Sequence, residues 1–284
     1  MRKKRNPLFV VTCLLGFFAL LLLTPGGRQE PVTPPAVTNE PSTEPINTRF
    51  PNRKPQPPTY RIDKALEMKP IIDVSAWQRP DEIDYDVLSR QISGAIVRIQ
   101  SGSHTKRDNT ATDKNGLDKA FPIHIQEFQK RQVPVAVYAY VTGNSIEAMK
   151  KEARSFYQAA HPYYPTFYWL DVEENTMEDM DAGVEAFRKE LEDLGAKNIG
   201  IYIGTYFMTD HSISVDRFDA VWIPTYGTDS GYYNAAPYTD IDYALHQYTS
   251  RGYLHGFNHH LDLNIISPQK DPNPIYQHLF TVPD

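Results

Sequence analysis

The sequence predicts an α/β protein built on an irregular (β/α) barrel, TIM-barrel-like and regular in its first half, behind a single N-terminal membrane helix and a Pro-rich linker. Three observations lead there. Eight apolar, β-rich runs recur along the C-terminal three quarters of the chain. The gaps after the first four carry helical periodicity, which implies parallel β-α-β units. Acidic and amide side chains arrive at the C-terminal ends of these runs, where the strands of such a barrel converge on one mouth.

Residues 2–5 are Arg-Lys-Lys-Arg, and an unbroken apolar run follows from Leu8 to Leu23. At about 1.5 Å per residue that run spans roughly 24 Å as a helix. Four cations ahead of it keep the N-terminus cytoplasmic and place everything after it outside. Leu21-Leu-Leu-Thr-Pro-Gly-Gly27 offers no small-x-small cleavage site, so residues 1–24 are read as an uncleaved signal anchor, with a secreted, cleaved form as the alternative. Cys13, the sole cysteine, lies inside the apolar run as a small apolar residue, and no intrachain disulfide is possible. Residues 25–59 form a Pro-rich linker: ten prolines fall between Pro25 and Pro58 among Thr, Glu, Asn and Gln. This composition favours extended conformers and cannot offset chain entropy by burial. The expected setting is a cell-membrane protein with an extracellular domain over 60–284.

Charge separates at the same boundary. The chain carries net charge −6, but residues after 60 hold 21 Lys and Arg against 32 Asp and Glu, a net of −11. No basic stripe is available to neutralise phosphates, which excludes nucleic acid as a partner.

The runs, in order, are Pro70 to Ser75, Gly94 to Gln100, Pro134 to Tyr140, Phe167 to Glu173, Ile199 to Gly204, Ala220 to Tyr226, Ala244 to Thr249 and His260 to Ile266. Helices are expected over Tyr85 to Gln91, Leu117 to Arg131, Ser145 to Ala160 and Glu178 to Leu194. Between Tyr226 and Ile266 the Gly, Pro, Tyr and Asp content predicts irregular connections. The fourth run is the most informative: Phe167-Tyr-Trp-Leu-Asp-Val-Glu173 places Trp169, Asp171 and Glu173 on one strand face and Leu170 and Val172 on the other. Two carboxyls side by side repel each other, so one can stay protonated while the other ionises, which is what glycoside hydrolysis uses. The strand-end rule adds Asp73 from the first strand, Arg98 and Gln100 from the second, Tyr138 and Tyr140 from the third, and Tyr202 from the fifth. The later strands add Tyr226, Gln247, Asp262 and Asn264. Carboxylates and amides for hydroxyls, with aromatic rings for the apolar faces of sugars, suit a polysaccharide. Trp77 is expected as a sugar platform, whereas Trp169 and Trp222 are read as core. Asp73 and Asp262 each have a plainer reading as turn, capping or pairing acids.

Four motifs resemble the glycoside hydrolase family 25 lysozymes. Ile72-Asp-Val-Ser-Ala-Trp-Gln78 is similar to the family's D-V-S-x-x-Q, Leu170-Asp-Val-Glu173 to its L-D-x-E, His246-Gln-Tyr-Thr249 to its W-Q-Y-S, and Leu261-Asp-Leu-Asn264 to its V-D-x-N. The resemblance covers Pro70 to about Ser267. It implies hydrolysis of the β-1,4 bond between N-acetylmuramic acid and N-acetylglucosamine in peptidoglycan, with no metal or organic cofactor. Glu173 would be the general acid, its pKa raised by its neighbours. Asp171 would stay ionised, as nucleophile or by orienting the substrate's own acetamido group. Asp73 and Asp262 would complete an acidic floor, and Trp77, Gln78, Tyr138, Tyr140, Tyr202, Tyr226 and Gln247 would contact the glycan. The sequence departs from the family at Ala139, at His246 and in Arg98-Ile-Gln-Ser-Gly102. Two other functions compete: a catalytically silent wall-binding scaffold, which predicts loss of Asp171 or Glu173, and a metal-dependent polysaccharide deacetylase, for which His255 and His259 are the only suggestion and Gly256 and Asn258 argue for a loop.

Overall fold

The computed structural model describes Pro58 and residues 69–102 and 109–283. The expected anchor over 1–24 and, Pro58 apart, the linker over 25–59 lie outside them, and among the described residues no helix is long and apolar enough to cross a membrane. The eight strands are β1 (Ile71–Val74), β2 (Gly94–Gln100), β3 (Val135–Tyr140), β4 (Tyr168–Val172), β5 (Ile199–Ile203), β6 (Ala220–Pro224), β7 (Leu245–Gly252) and β8 (Leu261–Ile266). They close a barrel in sequence order. Strands β1 to β7 pair in parallel, and β8 runs antiparallel to both β7 and β1. The reversal follows from the connection: only the turn around Gly256 joins β7 to β8, too short for the crossover that a parallel pair needs.

The helices are α1 (Tyr85–Leu88), α2 (Phe121–Lys130), α3 (Ile146–Ala160), α4 (Met180–Asp193), α5 (Thr205–Asp210) and α6 (Pro272–Phe280). Their starts are set by local chemistry. Asp84, Ser145, Asp179 and Asp271 accept backbone N–H groups at the N-termini of α1, α3, α4 and α6, satisfying donors that have no partner within the helix. Met149, Ala153, Phe156 and Ala160 line the buried stripe of α3, and Met180, Val184, Phe187 and Leu191 that of α4, at the 3.6-residue period of a helix resting on a sheet. Helix α2 begins four residues later than expected because residues 109–120 form a looped segment closed by bridges at Gln100–Leu117 and Thr112–Asp118. Helices α5 and α6 were not expected from the sequence.

Strand alternation separates two cores. Ile72, Val74, Ala95, Val97, Leu170, Val172 and Ile201 face the helices. Ile71, Ile96, Ala136, Phe167, Trp169, Trp222, Leu245 and Ile266 fill the barrel together with Leu279 and Phe280 of α6. Helix α6 therefore stoppers the barrel at the N-terminal ends of the parallel strands. A Cβ on Gly94, at the start of β2, would stand 2.7 Å from the Phe280 ring, so a residue without a side chain is needed there. With that end filled by apolar side chains, polar groups collect at the other.

Candidate active site

On the inward face of β1 to β5 and of β7, an apolar residue near the closed end gives way to a polar one nearer the mouth. Strand β1 goes from Ile71 to Asp73, β2 from Ile96 to Arg98, β3 from Ala136 to Tyr138, β4 from Trp169 to Asp171, β5 from Gly200 to Tyr202 and β7 from Leu245 to Gln247. Strand β8 runs the other way and delivers Asp262 before Asn264. Register places Asp73 opposite Asp262, Asp171 beside Tyr140 and Tyr202, and Gln247 beside Asn264. The result is a cavity of about 140 Å³ lined by Asp73, Tyr138, Asp171, Glu173, Tyr202, Trp222, Tyr226, Gln247 and Asp262.

One hydrogen-bond network fixes its floor. The indole N–H of Trp222 donates to Asn264 Oδ1 at 2.8 Å. An indole only donates, so the amide oxygen of Asn264 must face it and Nδ2 must face Asp73 Oδ2, at 2.8 Å. Gln247 is oriented in the same way: its Oε1 accepts the hydroxyls of Tyr202 at 2.7 Å and Tyr226 at 2.6 Å, and its Nε2 donates to the same Asp73 oxygen at 2.9 Å. Burial lifts the Asp73 carboxyl to about 6 even though both amides pull it down. Asp262, half-buried, is held well above the ordinary carboxylate range by desolvation and by Asp73 across the strand pair. Burial raises the Tyr138, Tyr202 and Tyr226 phenols, so they act as neutral donors.

The second acid centre lies across the cavity. Asp171 is buried, with Oδ1 lacking any partner among the described residues. Its pKa is raised well above the usual carboxylate value by burial, then by the negative charges of Glu173 and Asp73, while Arg98 pulls the other way. Arg98 is anchored by Asp118, with Nη2 to Oδ2 at 2.9 Å. Asp118 also accepts the N–H groups of Ala76 and Ala120, each at 2.8 Å, and so ties the loop after β1 to the guanidinium beside Asp171.

The expected site residues do not all meet at this cavity. Asp171 and Glu173 do face one cavity, but Glu173 lies one residue past the end of β4 and is exposed. Desolvation therefore falls on Asp171. Gln78 does not line the cavity. Its Oε1 accepts the Ser75 N–H at 2.9 Å and closes the turn after β1. Trp77 is 46 % exposed, and neither it nor Tyr140, whose hydroxyl donates to Glu174 at 2.8 Å, is among the lining residues. Gln100 turns away because a bulge in β2 pairs it with Ala139 rather than Tyr140. Trp222, read from the sequence as core, is both core and cavity wall. Asn264 already stood beside Asp262 in the D-x-N motif, whereas nothing local to residue 118 marks Asp118. His255 and His259 lie in a turn rather than on a helical face, and His259 stands 3.5 Å from Glu82.

Comparison with known proteins gives a consistent set. The model of glycosyl hydrolases family 25 matches residues 72–257. A glycosyl hydrolase 25 of Streptococcus pneumoniae, described as a virulence factor participating in host cell invasion, is 58 % identical, with a TM-score of 0.74 over 76 % of this chain and 94 % of that one. Two more distant structures share the fold. The catalytic domain of an endolysin from a Listeria monocytogenes bacteriophage has 23 % identity and a TM-score of 0.63, covering 76 % of this chain and 98 % of its own. A bacterial lysozyme from Streptomyces coelicolor has 16 % identity and a TM-score of 0.58 at the same coverage. No curated protein matches the chain.

Proposed function

The chain belongs to glycosyl hydrolase family 25, and from that premise we propose that it is a lysozyme of the N-acetylmuramidase type, cleaving the β-1,4 bond between N-acetylmuramic acid and N-acetylglucosamine in peptidoglycan. The observation that carries this reading is the Asp171–Glu173 pair, in which one carboxyl is buried at the floor of a polar cavity and the other is exposed at its rim. We assign Glu173 as proton donor to the leaving oxygen, because its position at the rim is where a long glycan can reach.

Asp171 has the complementary role. Its buried, unpartnered Oδ1 is an acceptor for the N–H of the sugar's acetamido group. That bond stabilises the ionised form of Asp171, while Glu173 carries the proton that bond cleavage needs. The ionised Asp171 then steadies the positive charge that develops as the acetamido oxygen attacks the anomeric carbon and the glycosidic bond breaks. Asp73 and Asp262, with the Gln247 and Asn264 amides, bind hydroxyls on the opposite wall. Attack by the acetamido oxygen displaces the leaving sugar and water then opens the resulting ring, two displacements at the anomeric carbon, so the reaction should retain configuration. ¹H NMR of soluble glycan during hydrolysis tests this, with the β-anomer expected to form first. Initial release of the α-anomer would overturn the assignment of the pair.

A catalytically silent wall-binding role is disfavoured because both carboxyls are present and line one cavity. The cationic residues 2–5 and the apolar run to Leu23 support a tethered enzyme that remodels wall near the membrane, with the Pro-rich segment as spacer. Finding the protein entirely in the medium after cell fractionation would contradict the tether.

A further inference from the structure

A second pocket, of about 360 Å³, opens between Gln100, Gly102, Lys114 and Asn115 on one side and Lys151, Glu152 and Ser155 of α3 on the other, outside the acid cavity. The β2 bulge creates it. Arg98 still pairs with Tyr138 and faces into the barrel, but Gln100 pairs with Ala139, which packs on the helix side. A bulge re-aims a side chain in this way, and here it turns Gln100 towards α3. Gln100 is 2 % exposed, and its Oε1 is buried with no hydrogen-bond partner among the described residues, an arrangement that costs free energy unless something donates to it.

The surroundings are rigid and carry charge. Gly102, with φ of 74°, packs so closely on Thr142 that a Cβ there would lie 2.2 Å from Oγ1. The N–H and hydroxyl of Thr142 donate to the two oxygens of buried Glu152, at 3.0 and 3.3 Å, so the one carboxylate on the floor is already hydrogen-bonded. Lys114 and Lys151 stand exposed at the lining, and neither has an ion pair among the described residues. The unmet demands are therefore a donor for the Gln100 carbonyl and an anion for two ammonium groups. A short peptide with a free carboxylate supplies both from adjacent atoms.

Resting on the muramidase reading, we propose that this pocket binds the peptide substituent of the glycan, with a peptide N–H donating to Gln100 Oε1 and a carboxylate between Lys114 and Lys151. Gln100 is two residues beyond Arg98, roughly 7 Å along the strand, so a peptide hanging from a sugar in the acid cavity reaches it within two or three residues. The enzyme would then prefer glycan that still carries its peptides.

The test is calorimetric titration of the full-length protein in detergent with the free tetrapeptide L-Ala-γ-D-Glu-L-Lys-D-Ala and with the same peptide amidated at its carboxyls. It is paired with a comparison of kcat/KM on intact and peptide-stripped glycan. Exposed Lys–carboxylate contacts are worth up to about fivefold each, so the Lys114→Ala/Lys151→Ala double variant should bind the peptide about tenfold more weakly. Its preference for intact over stripped glycan should fall by a similar factor. The Lys114→Arg/Lys151→Arg variant should retain both. Glu173→Gln should bind the peptide like wild type, which separates this pocket from catalysis. Absence of binding, equal affinity for the amidated peptide, or an unchanged preference in the alanine variant would overturn the proposal. Wild type that cleaves neither glycan would instead refute the muramidase reading, and the titration would still decide the pocket.

Discussion

Asp73 shows how single residues divide the work in this barrel. Its carboxyl is the common acceptor of two amides that have their own orientations fixed, Gln247 by two phenols and Asn264 by an indole. Such a network is satisfied with the carboxyl either charged or neutral, yet burial still lifts its pKa from 3.8 to about 6. The folded state therefore holds this proton more tightly than the unfolded chain does. Below pH 3.8 the group has no effect on stability. As pH rises the unfolded state ionises first, so the penalty grows until about pH 6 and is constant above it. An Asp73→Asn variant keeps an acceptor for both amides and removes the ionisation. It should match wild type in stability near pH 3.5 and exceed it by about 1–3 kcal/mol at pH 7.5, as read by urea unfolding. A stability difference that stays flat with pH would contradict this. Asp73, Asp171, Asp262 and Glu173 were all legible in the sequence, since motif and strand parity place them at one mouth. Which carboxyl would be buried was not, because parity gives the direction of a side chain and says nothing of where the strand ends. Glu173 falls one residue past that end.

At the scale of elements, the first half of the barrel was legible because each strand is a short apolar run and each helix is capped and periodic. Strand β2 matches its expected span of Gly94 to Gln100. The second half follows different rules. The chain from Thr225 to Ala244 connects β6 to β7 without a helix, as its Gly, Pro and Asp content predicted. The antiparallel entry of β8 leaves no trace in its own sequence, since Leu261 to Ile266 alternates in the same way in either direction. Helix α6 was missed because Asp271-Pro-Asn-Pro reads as a turn, although Asp caps and Pro opens the helix there. Its contribution is structural: Leu279 and Phe280 fill the closed end beneath the active site. Phe280→Ala should lower stability by about 3–5 kcal/mol through the cavity it leaves. At 25 °C, where the variant remains folded, it should leave the pH profile of hydrolysis in place. Loss of activity in a demonstrably folded variant would show that the stopper also positions the catalytic strands.

Across the whole molecule, the layout is a polarity gradient along the barrel axis, from Phe280 and Trp169 at the sealed end to four acids at the open one. Such an acidic mouth gives no long-range attraction to anionic polymers, so recognition must come from short contacts, which we propose are the acetamido group at Asp171 and hydroxyls at Asp73 and Asp262. An anchor over residues 1–24 would supply proximity that electrostatics does not. The central claim is that this mouth hydrolyses the muramic acid linkage with Glu173 as the proton donor. Mass spectrometry of purified peptidoglycan, digested with wild type and with Glu173→Gln, tests it most directly. Wild type should release fragments ending in reducing N-acetylmuramic acid, and the variant should release them at least about 100-fold more slowly, the usual loss when a general acid is removed. Fragments ending in reducing N-acetylglucosamine, or undiminished release by Glu173→Gln, would contradict it.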